Sequence, residues 1–434
     1  MTLSERLQRG LTARRRTWLV RLLWVVVAAA VCVRIGVMLT DPIQPTEDAG
    51  VDVGQFLDFR DTVWTPGRFL LSGGNPYDPE TYLQANPWAW PFDVYAPVWL
   101  FLGLILGPLP FLAAVVVYQV IALALAIVML RVLSRWAVPT LADIAVPAVL
   151  LWMNIWYPGR TSLSAQMGTL LAVLGVTLVI RQLTNRRPVE PGVDRTFALG
   201  VALTLVKPQF GLAILFVGAA AGKLREVALA VLGIAVASLP VVVLCTVAAG
   251  GPVEFVRSIL RNLAYTNSPN SPDSLSHPGH GRLDLLGILS GHGLDVTAAW
   301  VSLVVTVAAI ALAIAMVRIT RNPLLLSAAI SVTTLLGIYH STYDLLLLLV
   351  PVAVGVWMIV RGELTQPAER VVFGALLLVV LHLHTVTKTL IPRFDVLGAD
   401  TVNVVLMVVA LVAAVVGAAQ ARLRPAPLTA ARGR

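Results

Sequence analysis

An all-α polytopic membrane protein is the fold class the sequence predicts, and three observations predict it. The 434 residues are 58% hydrophobic and only 13% charged, with mean hydropathy +0.83; soluble globular chains do not carry that balance. Apolar runs of about 20 residues recur, each long enough to cross the roughly 30 Å hydrocarbon core as a helix. These runs lack the apolar–polar alternation of a barrel strand, so helices must satisfy the backbone in lipid. About ten to twelve transmembrane helices are expected, with a long first outer loop and several broken or short helices.

Taken in order, residues 1–17 read as a basic cytoplasmic tail. The run Trp18 to Leu39 is too long for a signal-peptide core and no A-x-A site follows it, so it reads as a retained first span. Residues 18–421 then form one transmembrane domain and 422–434 a second cytoplasmic tail. Basic residues cluster at Arg6–Arg16, Arg131/Arg135, Arg181/Arg186/Arg187/Arg195, Lys223/Arg225, Arg318/Arg321, Arg361/Arg370 and Arg422–Arg434, and these hold most of the 32 Lys and Arg. Positive residues in short loops mark the cytoplasmic side. Both termini are therefore expected inside, and the alternate loops outside.

The first outer loop, about 41–94, is over 50 residues long, and long ordered loops tend to be functional. It collects nine acids: Asp41, Glu47, Asp48, Asp52, Asp58, Asp61, Asp78, Glu80 and Asp93. Asp58 stands apart because Phe56, Leu57 and Phe59 surround it. A short amphipathic helix there would lie on the membrane surface and hold one carboxylate towards a cavity, where it can act as a general base. Asp52 and Asp61 read as solvation or support. GGNPYDP (73–79) supplies a turn with a fixed exit.

Residues 97–106 are apolar but short, and GPLP (107–110) separates them from a full span at 111–130. The second outer loop is brief, near Tyr157–Gln166, and Gln166 opens a span at its outer end. Residues 196–222 are apolar with basic flanks on both sides, and VKPQFG interrupts them. Proline breaks a helix, so two half-helices are expected to meet at Lys207 and Pro208, an arrangement tolerated in membranes mainly where it lines a cavity. An ionisable side chain at that depth points to function. The natural partner of Lys207 is a phosphate held in the cavity; the alternative is a lysine that snorkels to an interface or pairs with a buried acid.

The third outer loop, about 250–296, contains the turn-rich NSPNSPDSLSHPGHGR. The fourth is tight around YHSTYD, where a helix would put His340, Tyr343 and Asp344 on one face, able to bind a sugar or a phosphate. The fifth lies near Pro392–Asp400. HLHTVTK (382–388) and the His277/His280 pair lack metal-ligand geometry. Cys32 and Cys245 sit within apolar runs and read as small apolar residues. Neither a nucleotide loop, a dinucleotide fingerprint, a zinc motif nor a nucleophile elbow is present.

Asp58-Phe59, GGNPYDP, YAP (95–97), Gln166, Lys207-Pro208 and HSTYD (340–344) occur in an order that resembles the C-type polyprenyl-phosphate-dependent glycosyltransferases, family 87, over roughly residues 50–350. Departures are Ala165 before the glutamine, Ala96 where proline is common and Trp64 where tyrosine is usual. The resemblance implies transfer of mannose or arabinofuranose from a polyprenyl phosphate to a lipid-linked or polysaccharide hydroxyl on the outer face, with inversion. It implies Asp58 as base, and Lys207, His340, Tyr343 and Asp344 as partners of the donor phosphate. Asn75, Tyr77, Tyr95 and Gln166 would also contact substrate. Neither cofactor, metal nor nucleic acid is expected, while membrane lipid is. A transporter or flippase of a lipid-linked sugar is the alternative, since it too would use broken helices and buried charge; the long acidic outer loop favours an outward catalytic site.

Overall fold

The computed structural model describes residues 13–40, 57–92, 95–185, 193–269, 271, 274–275, 282–381 and 396–423. Residues 1–12 and 424–434 of the two tails, Asp41, Glu47, Asp48, Asp52, Phe56, Asp93, His277, His280 and the 382–388 stretch lie outside the described residues.

The expected helical architecture is present. In chain order the α-helices are α1 (Ala13–Thr40), α2 (Leu57–Phe59), α3 (Thr65–Leu71), α4 (Pro79–Ala85), α5 (Leu100–Leu106), α6 (Phe111–Ala137), α7 (Ala142–Ile155), α8 (Tyr157–Ser164), α9 (Met167–Thr184) and α10 (Arg195–Leu205). They continue with α11 (Pro208–Ala220), α12 (Leu224–Ala248), α13 (Pro252–Thr266), α14 (Leu285–Gly291), α15 (Ala299–Ile319), α16 (Pro323–Gly337), α17 (Leu349–Arg361), α18 (Pro367–Leu381) and α19 (Val396–Leu423). Among the described residues, seven helical segments are long and apolar enough to cross a membrane, or eight if α7 and α8, bent by 93° at Trp156, count as one broken span. The difference from ten to twelve lies in short apolar helices such as α5, α10, α11 and α16, which fall below the length of a span.

Burial sorts the helices into an inner and an outer set. Every residue of α16 from Leu324 to Gly337 is buried, and most of α9 is as well; a helix apolar on all sides belongs inside a bundle. By contrast, α12 exposes Leu232, Val236, Leu239 and Val243, and α15 exposes Leu303, Val304 and Val307, as lipid-facing helices do. Glycines let the inner helices touch: a methyl group at Gly175 of α9 would collide with the carbonyl oxygen of Gly200 on α10.

The break within 196–222 falls where expected. Helix α10 ends at Leu205, Lys207 is extended (φ −112°, ψ 96°), and Pro208 opens α11 as its first residue, the position where its missing N–H costs nothing. The two long segments expected to form outer loops are not featureless. The first contains α2, a π-helical turn (Arg60–Trp64), α3 and α4. The third contains α13, which buries Phe255, Ser258 and Asn262 and exposes Val253, Val256, Leu260 and Leu263. That second apolar stripe suits a helix lying in the membrane interface.

Candidate active site

The site forms around one carboxylate. Asp344 stands in the 3₁₀ turn Thr342–Leu348 that follows α16. Its Oδ1 accepts hydrogen bonds from Lys207 Nζ at 2.6 Å and Thr169 Oγ1 at 2.7 Å, and its Oδ2 lies 2.9 Å from His340 Nδ1. Lys207 is also 3.2 Å from Thr169 Oγ1. Three separate elements thus converge: the start of α9, the α10–α11 break and the turn after α16. Lys207, His340 and Asp344 are each at most 1% exposed, so the pair satisfies the rule that buried charges must be neutralised and hydrogen-bonded.

The chain break explains how lysine reaches this position. A continuous helix through 207 would lock its backbone into the ladder, whereas the extended residue turns the side chain towards Asp344. Aromatic rings enclose the ammonium group: Tyr343 at 4.7 Å and Phe210 at 5.3 Å from centroid to Nζ. Phe210 also packs 4.6 Å from the His340 ring. With Nδ1 held by Asp344, His340 presents Nε2, which is buried and has no hydrogen-bond partner among the described residues.

Gln166 and Tyr95 form a second cluster beside the first. Tyr95 Oη donates to Gln166 Oε1 at 2.9 Å, leaving Gln166 Nε2 buried without a partner among the described residues. Tyr95 stacks on Trp99, and both rings, together with the Lys207 stem, border Gly168. Asn75 and Tyr77 sit behind this cluster. Tyr77 Oη donates to the Tyr95 carbonyl at 2.9 Å, and Asn75 receives the Tyr77 backbone N–H while donating to Ser258 at 2.7 Å. Both are buried, and their hydrogen bonds fix Tyr95 and dock α13.

Asp58 lies at the start of the Leu57–Leu71 helical stretch and is partly exposed. Its charge acts electrostatically on Tyr118, Tyr157 and Tyr343, the last being the chain neighbour of Asp344. Phe59 beside it is buried against Tyr118 (4.5 Å between centroids), so this ring anchors the backbone next to the carboxylate. The helix carrying it is wedged into the protein; the surface-lying helix expected from the sequence is not what forms. Asp61 is also not a solvating acid. It is 3% exposed and paired with Arg60 at 2.7 Å. Burial pushes its carboxyl up to about 6, with the Arg60 guanidinium pulling the other way.

Lys207 pairs with Asp344, the buried acid that stood as the alternative to a phosphate. A further cation is a residue the sequence reading passed over. Arg160 on α8 is half-buried, stacks near Tyr157 at 5.8 Å, and makes no ion pair among the described residues; α8 packs directly against the 342–348 turn. Its signal was available, because an arginine in a short outer loop runs against the charge rule. Thr169 carried no such signal. Among the described residues, no group of three or more His, Cys, Asp or Glu side chains is arranged to hold a metal.

Residues 94–342 match the sequence model of glycosyltransferase family 87. No curated protein and no solved structure matches the chain.

Proposed function

This chain belongs to glycosyltransferase family 87, a membrane glycosyltransferase, and on that premise we propose that it moves mannose or arabinofuranose from a polyprenyl-phosphate donor to a lipid-linked or polysaccharide hydroxyl on the outer face. Asp58 accepts the acceptor's proton as the new oxygen–anomeric carbon bond forms. The anomeric carbon–phosphate oxygen bond breaks on the opposite side, inverting the centre. The phosphate diester becomes a monoester, so one extra negative charge develops and must be met by preorganised donors.

The observation that carries this reading is the orientation of His340. Asp344, itself held by Lys207 and Thr169, fixes Nδ1 and leaves the buried Nε2 as the open polar valence of the cluster. We assign His340 Nε2, donating as part of an imidazolium whose Nδ1–H is held by Asp344, and Arg160 to the departing phosphate, and Lys207 and Asp344 to holding His340. Gln166 Nε2, likewise buried without a partner, is suited to a sugar hydroxyl. The Tyr343 ring lies 4.7 Å from Lys207 Nζ and encloses its ammonium. The arginine-rich helix ends, read by the charge rule, support an outward-facing site.

The test is to incubate the purified chain with labelled polyprenyl-phosphate mannose or arabinose and a panel of lipid acceptors. Labelled product and free polyprenyl phosphate are expected. Labelled donor that moves between leaflets without being consumed would instead identify a flippase.

A further inference from the structure

At the end of the bundle opposite Asp344, a cleft of about 1190 Å³ opens between α6, α9, α16 and α17, and Arg135, Arg181, Arg321 and Arg361 line it. Helix α9 links the two ends: Arg181 lies about three turns beyond Thr169, roughly 18 Å along the axis. The cleft is therefore at the other end of α9 from the candidate active site, and it is independent of the donor that site uses.

Among the described residues, two acids line the cleft, Glu363 and Glu369. Glu363 lies 3.8 Å from Arg361. Glu369 is saturated from within: it accepts from Asn322 Nδ2 at 2.7 Å and from the backbone N–H groups of Thr365 and Gln366 at 3.0 Å each. Among the described residues, the side chains of Arg135, Arg181 and Arg321 make no ion pair. Helix polarity accounts for Arg135 and Arg181 in their last turns. Arg321 stands between the negative C-terminal end of α15 and the positive N-terminal end of α16, so helix polarity neither favours nor opposes it.

A second cavity, of about 420 Å³, shares Arg135, Trp136 and Arg181 with the cleft and continues along Val128 and Val132. Val128 is 48% exposed on the outside of the bundle, so this groove runs from the basic cleft towards the hydrocarbon. Trp136 and Trp357 border the cleft, at the headgroup level that tryptophan favours. A free anion would use the arginines but not the groove; a neutral lipid would use the groove but leave the arginines unpaired. We propose that the two cavities together form a binding site for one anionic phospholipid, its phosphate between Arg135, Arg181 and Arg321 and an acyl chain along Val128 and Val132. Clefts of this kind between helices recognise charged headgroups.

The test uses the delipidated full-length protein in detergent, titrated with phosphatidylglycerol, phosphatidylcholine or inorganic phosphate at matched concentrations, and read by native mass spectrometry and thermal unfolding. Phosphatidylglycerol is expected to stay bound and raise Tm, with the other two doing neither. R181Q/R321Q should weaken phosphatidylglycerol by about tenfold or more, while R181K/R321K keeps the preference. Equal binding of phosphatidylcholine, equal protection by inorganic phosphate, or unchanged binding in R181Q/R321Q would each overturn the assignment. Should the substituted proteins not fold, a photoreactive phosphatidylglycerol on the wild type decides: label within 128–136 or 181–185 supports the site, and label confined elsewhere refutes it.

Discussion

Replacing Lys207 by methionine leaves Asp344 as a buried carboxylate with only Thr169 and His340 beside it. Breaking a buried pair by removing one partner costs about 3–5 kcal/mol, so Lys207→Met and Asp344→Leu are each expected to lower the unfolding temperature sharply. The double substitution should recover much of that loss without recovering transfer, because His340 is no longer held. Unfolding followed in detergent checks the first part and donor consumption the second. Asp58→Asn is a different kind of change: the residue is partly exposed, so folding should survive while transfer falls by about 10²–10⁴-fold, the usual worth of a general base. Wild-type turnover in that variant would move the role to another group. Arg160→Gln should reduce turnover by about 10²-fold if it meets the charge on the leaving phosphate, with the unfolding temperature little altered. What the sequence disclosed at this scale was the identity of rare residues in an apolar background: Lys207, His340 and Asp344 stand out because burying them is costly. What it withheld was their partnership. Lys207 and Asp344 are 137 residues apart, and nothing local marks Thr169 among the chain's other threonines as the third member.

At the scale of elements, the fit between α9 and α10 governs the site, because α9 carries Thr169 and α10 leads into Lys207. Gly175→Leu would force the helices apart where they touch at Gly200; overpacking of this sort costs about 1–3 kcal/mol. Transfer should fall further than stability, as Thr169 shifts away from Lys207. The Arg60–Trp64 turn gives a pH prediction. Asp61 sits at about 6 in the folded protein against an ordinary 3.8, so between those values the folded state holds a proton that the unfolded chain has lost. Its contribution to stability is then highest below about pH 4 and declines as pH rises to about 6. The unfolding temperature of wild type relative to Asp61→Asn should fall across that window; parallel curves would refute it. The proline break and the span at Gln166 were legible in the sequence because proline and hydropathy act locally. The folding of both outer loops into helices was less so. Asp61's burial depends on Arg60 and on packing against residues far along the chain, and Asn75 and Tyr77 gain their meaning only from Ser258 and Tyr95.

For the whole molecule, the charge pattern predicts sidedness that can be measured directly. Gln84→Cys, on the exposed face of α4, should react with a membrane-impermeant maleimide in intact cells, whereas Glu363→Cys should react only after permeabilisation. The reverse pattern would place the Asp344 cluster on the cytoplasmic side and end the outward-site reading. Helical class and membrane residence followed from composition alone, since lipid leaves a chain so few choices. The helix count did not: α16 has only 15 residues yet is buried on all sides, and hydropathy cannot distinguish a core helix from a short span.

The pairing of Lys207 with Asp344 also bears on how the enzyme empties. A transferase of the proposed kind ends each cycle holding a doubly charged lipid monophosphate, which must return to the bilayer for reloading. A bare ammonium in a low-dielectric chamber would grip that carrier and slow its departure. With the ammonium already matched by a carboxylate, the resting chamber keeps less net positive charge, and the spent carrier can leave without tearing away from a naked cation. The ion pair that shapes the site would then also set its off-rate.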